Sequence, residues 1–469
     1  MSSRICHDGV CRIALAHGRL DGLPLGQEAD QHPGERQVPS SDRRAIVIGA
    51  GIVGVCSAIE LNRRGFAVTL VDRVQPGESC SFGNAGILAA QAVVPVAMPG
   101  LMREVPGMLL DRESPLVVRL RSLPRIAPWL MRFWKEANAE RLPATADAMK
   151  ELNGSSLELH ERLAREAGVP DLVRPTSYLY IARNKAKLDV ENGVSWRLRR
   201  ERGAVIEVLD GEALREAEPE LSPEYQRGVR LGPIGYTLNP FRLTQAYATL
   251  FQREGGRFVR AEVRALRPAG AVTGLETSAG QMAAETVVIA AGSWSLDLAR
   301  PLGLKLPLIA ERGYHVTFEN PGITLNHVLS EAERHFAVTS MEMGLRVAGT
   351  EELGLADDAP SWRRAEVLVR QARAMFPRAR LEKYSRWMGP RPGTPDSVPA
   401  IGHLPGHPGI LIAAGHGHLG LTGGPNTGRI IAALAAGERL NMDLRPYAPD
   451  RYQTSERTRE SAPTPEVRA

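Results

Sequence analysis

The sequence predicts an α/β chain. A parallel sheet is assembled from well-separated stretches, and a second, α+β domain built on a mainly antiparallel sheet is threaded through it. Three observations carry that prediction. An apolar run at residues 45–48 ends at glycine, residues 55–64 follow with helical spacing, and a second apolar run fills residues 67–71. Strand, helix and strand within ~30 residues make a βαβ unit, whose crossover implies parallel pairing. Short, wholly apolar runs return far downstream at residues 286–291 and 410–414, as expected of strands covered on both faces. Between them, stretches such as 177–181 and 314–318 alternate as strands with one exposed face do. Helices are expected over residues 116–141, as one long amphipathic element over 147–167, and over 429–436. There is no internal repeat.

Composition narrows the classes. A chain of 469 residues accommodates two or three domains. Four cysteines rule out a disulfide scaffold, and the 46 glycines follow no three-residue period. A membrane-spanning helix needs ~18 or more apolar residues in a row. The longest candidate, residues 87–102, is broken by Gln91, Pro95, Pro99 and Gly100. The net charge of +5 arises from 58 Lys and Arg against 53 Asp and Glu, a mild excess that argues against a nucleic-acid partner. Residues 1–43 carry many Gly and Pro without an apolar period and are expected to be disordered, as is the tail 446–469. The extension has no apolar core of a secretory signal. Cys6, His7 and Cys11 within it lack the second ligand pair of a metal clip, and no metal is expected elsewhere.

Gly49-Ala50-Gly51-Ile52-Val53-Gly54 is a G-x-G-x-x-G turn between the first strand and its helix, and Asp72 closes the second strand 23 positions after Gly49. Gly49 permits the tight turn, Gly51 lets backbone approach a pyrophosphate, and Gly54 lets helix pack on strand. The helix start supplies N–H donors and partial positive charge. Asp72 suits ribose hydroxyls and repels a 2′-phosphate. The reading is a Rossmann-like domain for an adenine dinucleotide, with FAD and NAD both compatible. A second G-x-G-x-x-G, Gly415 to Gly420, also follows a strand. Too little chain remains for another nucleotide fold. Its glycine-rich backbone suits a group with partial negative charge, such as the N1/C2=O edge of a reduced flavin.

Beyond these turns, the segments Ser79-Cys80-Ser81-Phe82-Gly83-Asn84-Ala85-Gly86, Ala290-Ala291-Gly292-Ser293-Trp294 and Trp387-Met388-Gly389-Pro390-Arg391-Pro392 follow in order. Together they resemble the D-amino-acid dehydrogenase branch of the FAD-dependent amine oxidoreductases, a family that includes D-amino-acid oxidase, glycine oxidase and sarcosine oxidase. The resemblance spans about residues 44–440. It implies noncovalent FAD, since the four cysteines (Cys6, Cys11, Cys56, Cys80) lie outside the C-terminal motifs. It implies that Arg73 joins Asp72 at the cofactor and that Ser81, Asn84, Ala85 and Gly86 line it. Ala291, Gly292 and Trp294 are then expected beneath it, Val263 at the adenine, and Gly417, His418, Leu419, Gly420, Leu421 and Thr422 at the isoalloxazine edge. It divides the chain into a cofactor domain (44–88, 235–303, 388–445) and a substrate domain (89–234, 304–387).

In the resemblance Arg391 binds the substrate carboxylate. The chemistry is sound, because guanidinium matches carboxylate with two parallel hydrogen bonds and the flanking prolines pre-order the backbone. Tyr314 is expected to cover the substrate or bond its carboxylate, and His418 to polarise the pocket or deprotonate the amine. His416, His315, His335, Tyr236 and Glu342 are weaker candidates. The histidine pair 416/418 lacks the carboxylates of a metal site. The implied reaction oxidises a D-amino acid to an imine, then a 2-oxo acid and ammonia, by hydride transfer to flavin N5. Alternatives are oxidation of a secondary amine such as D-hydroxyproline, sarcosine or glycine, and a cofactor-holding or electron-relay subunit without a substrate. The implied acceptor is a quinone or another respiratory-chain component. The implied location is cytoplasmic, or the inner face of the cytoplasmic membrane. The basic, aromatic stretch 116–136 (Arg119, Arg121, Arg125, Trp129, Arg132, Phe133, Trp134, Lys135) has the composition of a peripheral membrane contact, though a solvated helix with an aromatic core face fits it as well.

Overall fold

A computed structural model describes residues 43–100, 111 and 113–453. The proposed disorder and the cysteines of residues 1–42 lie outside the described residues, as does the tail from 454.

Arg44–Ile48 is the centre of a six-stranded sheet, paired in parallel with Ala67–Asp72 on one side and Thr286–Ile289 on the other. The order continues through Arg257–Arg260 at one edge and through His407–Ala414 to the antiparallel edge strand Ala400–Leu404 at the other. The central strands are apolar because both faces are covered. The helices Ile52–Arg63 and Gly420–Ala436 pack on one face. A three-stranded sheet spanning Val263–Ala284 packs with the apolar residues of the other. The two helices approach closely at small residues. A Cβ on Gly428 would stand 2.6 Å from the Cys56 carbonyl oxygen, so glycine there sets the helix separation.

The second sheet has ten strands. Its path runs Tyr384–Gly393, Ile309–Phe318, Gly344–Gly354, Phe336–Met341, Val328–Glu331, Val173–Ala182, Arg227–Thr237 and Ile87–Leu88, with Leu116–Val118 and Val205–Asp210 added at its sides. Pairing is antiparallel except for Val328–Glu331 against Val173–Ala182 and Leu116–Val118 against Gly344–Gly354. The helix Arg363–Met375 packs on this sheet in a core with Tyr314, Phe318 and Phe376.

Several expectations are corrected. Residues 116–118 form a strand, and the helix beside them is Leu123–Glu136, with proline in its first turn. The long helix over 147–167 is two, Leu142–Asn153 and Ser156–Glu166, separated at Gly154 and Ser155. The last helix begins at Gly420 rather than 429. Residues 446–453, expected to be loose, are packed: Tyr447 and Tyr452 are buried, and Arg451 pairs with Asp396 at 2.8 Å. The strands Arg227–Thr237 and Tyr384–Gly393 run through positions 234/235 and 387/388 within the large sheet.

Candidate active site

The glycine turn is built by close backbone contact. Gly49 has φ +107° and donates its N–H to the Val71 carbonyl at 2.8 Å. A Cβ on it would stand 2.3 Å from the Ala290 carbonyl oxygen, and one on Gly54 would stand 1.8 Å from that of Gly49. Asp72 accepts from the Ala50 N–H at 2.6 Å and the Val74 N–H at 3.2 Å, so it orders the turn. Each carboxylate oxygen keeps a lone pair for a hydroxyl. Burial raises the Asp72 pKa above the ordinary carboxylate value, opposed by those backbone donors. Ser81 Oγ accepts the Ile52 N–H at the helix start, 3.0 Å away.

The turn opens onto a cavity of about 1680 Å³, well beyond the ~300–1,000 Å³ of a drug-sized ligand site. Gly49, Gly51, Ile52 and Val53 line it with Asp72 and Arg73. Ser81, Asn84 and Ala85 follow on one wall, and Val263, Ala291, Gly292 and Trp294 at the turn's end. The Arg73 guanidinium lies 4.3 Å over the Trp294 ring. All six residues from Gly417 to Thr422 line the far side. Ala50, Gly54 and Gly86 do not face the cavity; they shape it. Gly86 has φ +78°, donates to Asn84 Oδ1 at 2.8 Å, and accepts from the Thr237 N–H at 2.7 Å.

At the other end, charged side chains project from three adjacent strands. Glu311 stands opposite Arg391 in one register, and Glu351 stands opposite Gly313 in the next. Two glycines provide the room. A Cβ on Gly313 would fall 2.3 Å from Arg391 Cζ, and one on Gly393 would fall 2.1 Å from Glu311 Oε1. Thus Arg391 lies over Gly313 and pairs with Glu351 at 2.6 Å, while Glu311 leans the other way, toward Gly417. Loss of water around the carboxylate and the charge of Glu351 raise the Glu311 pKa to about 8, against the pull of Arg391. His418 projects into the same space. Its pKa is lowered, chiefly by removal of water around the imidazolium, with Glu351 opposing and Arg391 reinforcing.

Tyr314 is not in this site. Alternation along the strand puts it on the face opposite Glu311 and Gly313, together with Arg312. Its hydroxyl donates to Glu352 and accepts from the Ser361 N–H, both at 2.8 Å, within a buried cluster that includes Arg312. His315 stacks on Trp387 with centroids 5.1 Å apart and meets the Gly83 carbonyl at 3.0 Å. His416 lines the cavity but is tied to Thr427 Oγ1 at 2.9 Å, and burial lowers its pKa to about 4. His335 lines the wall near Phe336. Tyr236 is off the cavity, and Glu342 is engaged with Arg242 and Asn239. Glu311 and Glu351, which also line the cavity with Trp387 and Cys80, were not singled out by sequence reasoning. The available signal for the two glutamates was a carboxylate within a sheet strand, on the same face as a glycine two residues away. Among the described residues, no group of three or more His, Cys, Asp or Glu is placed to hold a metal.

The family model for "FAD dependent oxidoreductase" matches residues 44–434. The chain belongs to this family. As a member of the FAD-dependent oxidoreductase family it is similar to a D-amino-acid oxidase of Bradyrhizobium diazoefficiens, 37% identical over 421 residues, covering 87% of this chain and 99% of that protein. It is similar also to a D-amino acid dehydrogenase of Methylobacterium sp. strain 4-46, 33% identical over 422 residues, covering 87% and 99%. Glycine oxidase from Geobacillus kaustophilus shares the fold at TM-score 0.66 and 22% identity, covering 87% of this chain and 98% of that one. L-Proline dehydrogenase from P. horikoshii shares it at TM-score 0.67 and 20% identity, covering 88% and 98%. The residues present fit FAD. The tight turn exposes Gly49, Gly51 and the helix start at Ile52 to the cavity, Asp72 stands at the second strand's end, and the same cavity reaches Gly417–Leu419.

Proposed function

We propose that the chain oxidises a D-amino acid to the imino acid, which water hydrolyses to a 2-oxo acid and ammonia. The observation that carries this reading is Arg391. It is a half-buried guanidinium lying flat over Gly313, in the same cavity as the glycine turn. In this reading segments 44–88, 235–303 and 388–445 hold FAD, and segments 89–234 and 304–387 form most of the substrate side. Bound FAD supplies the hydride acceptor for the substrate α-carbon. The protein's part is orientation. Arg391 takes the carboxylate in two parallel hydrogen bonds, in place of Glu351, and thereby anchors the α-carbon at this end of the cavity. The apolar wall of Trp129, Leu130 and Phe133 keeps water from the reacting end.

Cys80 supports noncovalent attachment. Its thiol donates to the Pro390 carbonyl at 2.9 Å, and burial pushes its pKa up to about 11, so little thiolate exists to attack a ring. The acceptor is read as a quinone or other respiratory-chain component, met near the helix Leu123–Glu136, whose Met131 and Trp134 are exposed. No helix among the described residues is long and apolar enough to cross a membrane.

The test is anaerobic mixing with D- and L-amino acids and cyclic imino acids, reading the flavin band near ~450 nm. Bleaching by D-amino acids supports the reading. Bleaching by cyclic imino acids alone moves the substrate to secondary amines. No bleaching with any amine replaces it with an electron-relay subunit.

A further inference from the structure

We propose that Glu311 holds the substrate's amino group and takes its proton before oxidation; the inference rests on the amino-acid reading above. A hydride can leave the α-carbon only when the nitrogen lone pair is free, so an ammonium must first be deprotonated. The substrate N–H bond breaks, a carboxylic O–H forms on Glu311, and the electron pair stays on nitrogen.

The geometry selects this side chain. Arg391 holds the carboxylate, and the amine of an α-amino acid lies two bonds from that carboxyl carbon. It must therefore find its partner beside the guanidinium. Glu311 is directly cross-strand from Arg391, and the hollow at Gly393 lets it lean toward Gly417, the loop at the flavin side. Among the described residues its carboxylate has no hydrogen-bond or ion-pair partner, whereas Glu351 is taken by Arg391. The charged groups acting on it are Glu351 and Arg391, and the other titratable groups nearby in the same cavity lining are His418, His416 and Cys80. The two histidines are poor proton acceptors, since burial lowers the pKa of both. Cys80 is occupied as a donor. The Glu311 carboxyl, raised to about 8, is basic enough to compete for an amine proton. Its working form grows as pH rises through that value.

The test uses the FAD-loaded enzyme and two unreactive ligands, read by perturbation of the flavin spectrum. α-Aminoisobutyrate has no α-hydrogen, and isobutyrate has no amine. The wild type is expected to bind α-aminoisobutyrate more tightly as pH rises from 7 to 9. Glu311→Gln is expected to weaken it at least tenfold and flatten the pH dependence, while isobutyrate binding stays within twofold. Flavin reduction by a D-amino acid is expected to slow by ~100-fold at pH 7 and to recover at higher pH, where the free amine loses its proton in solution. Should E311Q fail to fold, Gly393→Ala displaces the same carboxylate and must reproduce the effect. Wild-type binding and pH dependence in the folded variant overturn the inference while leaving the amino-acid reading intact. A wild type that binds neither ligand and is reduced by no amino acid sinks both.

Discussion

The two ends of the cavity are made of different materials. The turn at Gly49–Gly54 presents backbone, and side chains there are excluded by carbonyl oxygens 1.8–2.3 Å from where a Cβ would sit. The end at Glu311, Glu351 and Arg391 presents charge, and its glycines make room for the charged side chains. A ligand held by backbone is shared by every reaction the fold supports. A ligand held by side chains on strands is set by register and is easily altered. Generality and selectivity are therefore separated along one cavity.

The largest effect that tests this contrast is at the backbone end. Gly54→Ala forces a Cβ into the Gly49 carbonyl. It is expected to lose FAD altogether and ~3 kcal/mol of stability, read by the flavin-to-protein absorbance ratio and by thermal unfolding. A yellow, stable variant would break the distinction.

The joint between the two ends comes next. His160 is buried beneath the Leu421 carbonyl, 2.8 Å from it, and against Tyr247. Burial lowers its pKa from 6.5 to about 4. Below pH 6.5 the unfolded chain gains a proton that the folded chain refuses, so stability falls as pH drops toward 4 and levels off below it. The loss from this residue is ~3 kcal/mol. Denaturant unfolding across that range should show the slope, and His160→Gln should make it shallower while lowering stability at pH 7; the buried His315 and His416, whose pKa values are lowered as well, keep the rest.

At the charged end, Arg391→Ala is expected to raise KM for the amino acid by ~100-fold while FAD stays bound. Unchanged steady-state kinetics in a flavin-loaded variant would remove Arg391 from the substrate. Gly313→Ala, which nudges the guanidinium without removing it, is expected to raise KM by ~tenfold, with no change in cofactor content. The smallest effect belongs to the outer helix. Trp134→Ser should change stability by less than ~0.5 kcal/mol yet reduce flotation with anionic vesicles. A wild type that stays entirely in the soluble fraction would dispose of the membrane contact.

The same contrast explains what could be read from the chain. The turn, its helix and Asp72 were legible because their contacts lie within one βαβ unit, and spacing alone encodes them. The downstream strands 286–291 and 410–414 were legible because burial on both faces leaves a wholly apolar run. Arg391 was found through its proline-flanked segment. Glu311 sits three residues before Tyr314, which drew attention as an aromatic. The two lie three positions apart on one strand and so face opposite sides of the sheet, but which side meets the cavity depends on the packing of the whole sheet, which no local pattern announces. Glu351 and Glu352 are sequence neighbours facing opposite sides of the sheet. Their roles part only when the strand pairing is known. The tail to residue 453 was misread because two tyrosines and an arginine suffice to anchor a short segment to a large core.

The central strand Arg44–Ile48 has a further consequence, for synthesis. Its second neighbour is Thr286–Ile289, and the helix that follows it is covered by Gly420–Ala436. The first motif to leave the ribosome is thus among the last to be completed, because its partners emerge some 240 and 370 residues later. Until then an apolar strand edge and helix face stand open, the situation in which long-range pairing is slow and chains aggregate. A cofactor that binds across the turn and the last helix can act only once that helix has emerged, so its supply at the end of synthesis should govern how much of the chain is held in the folded state.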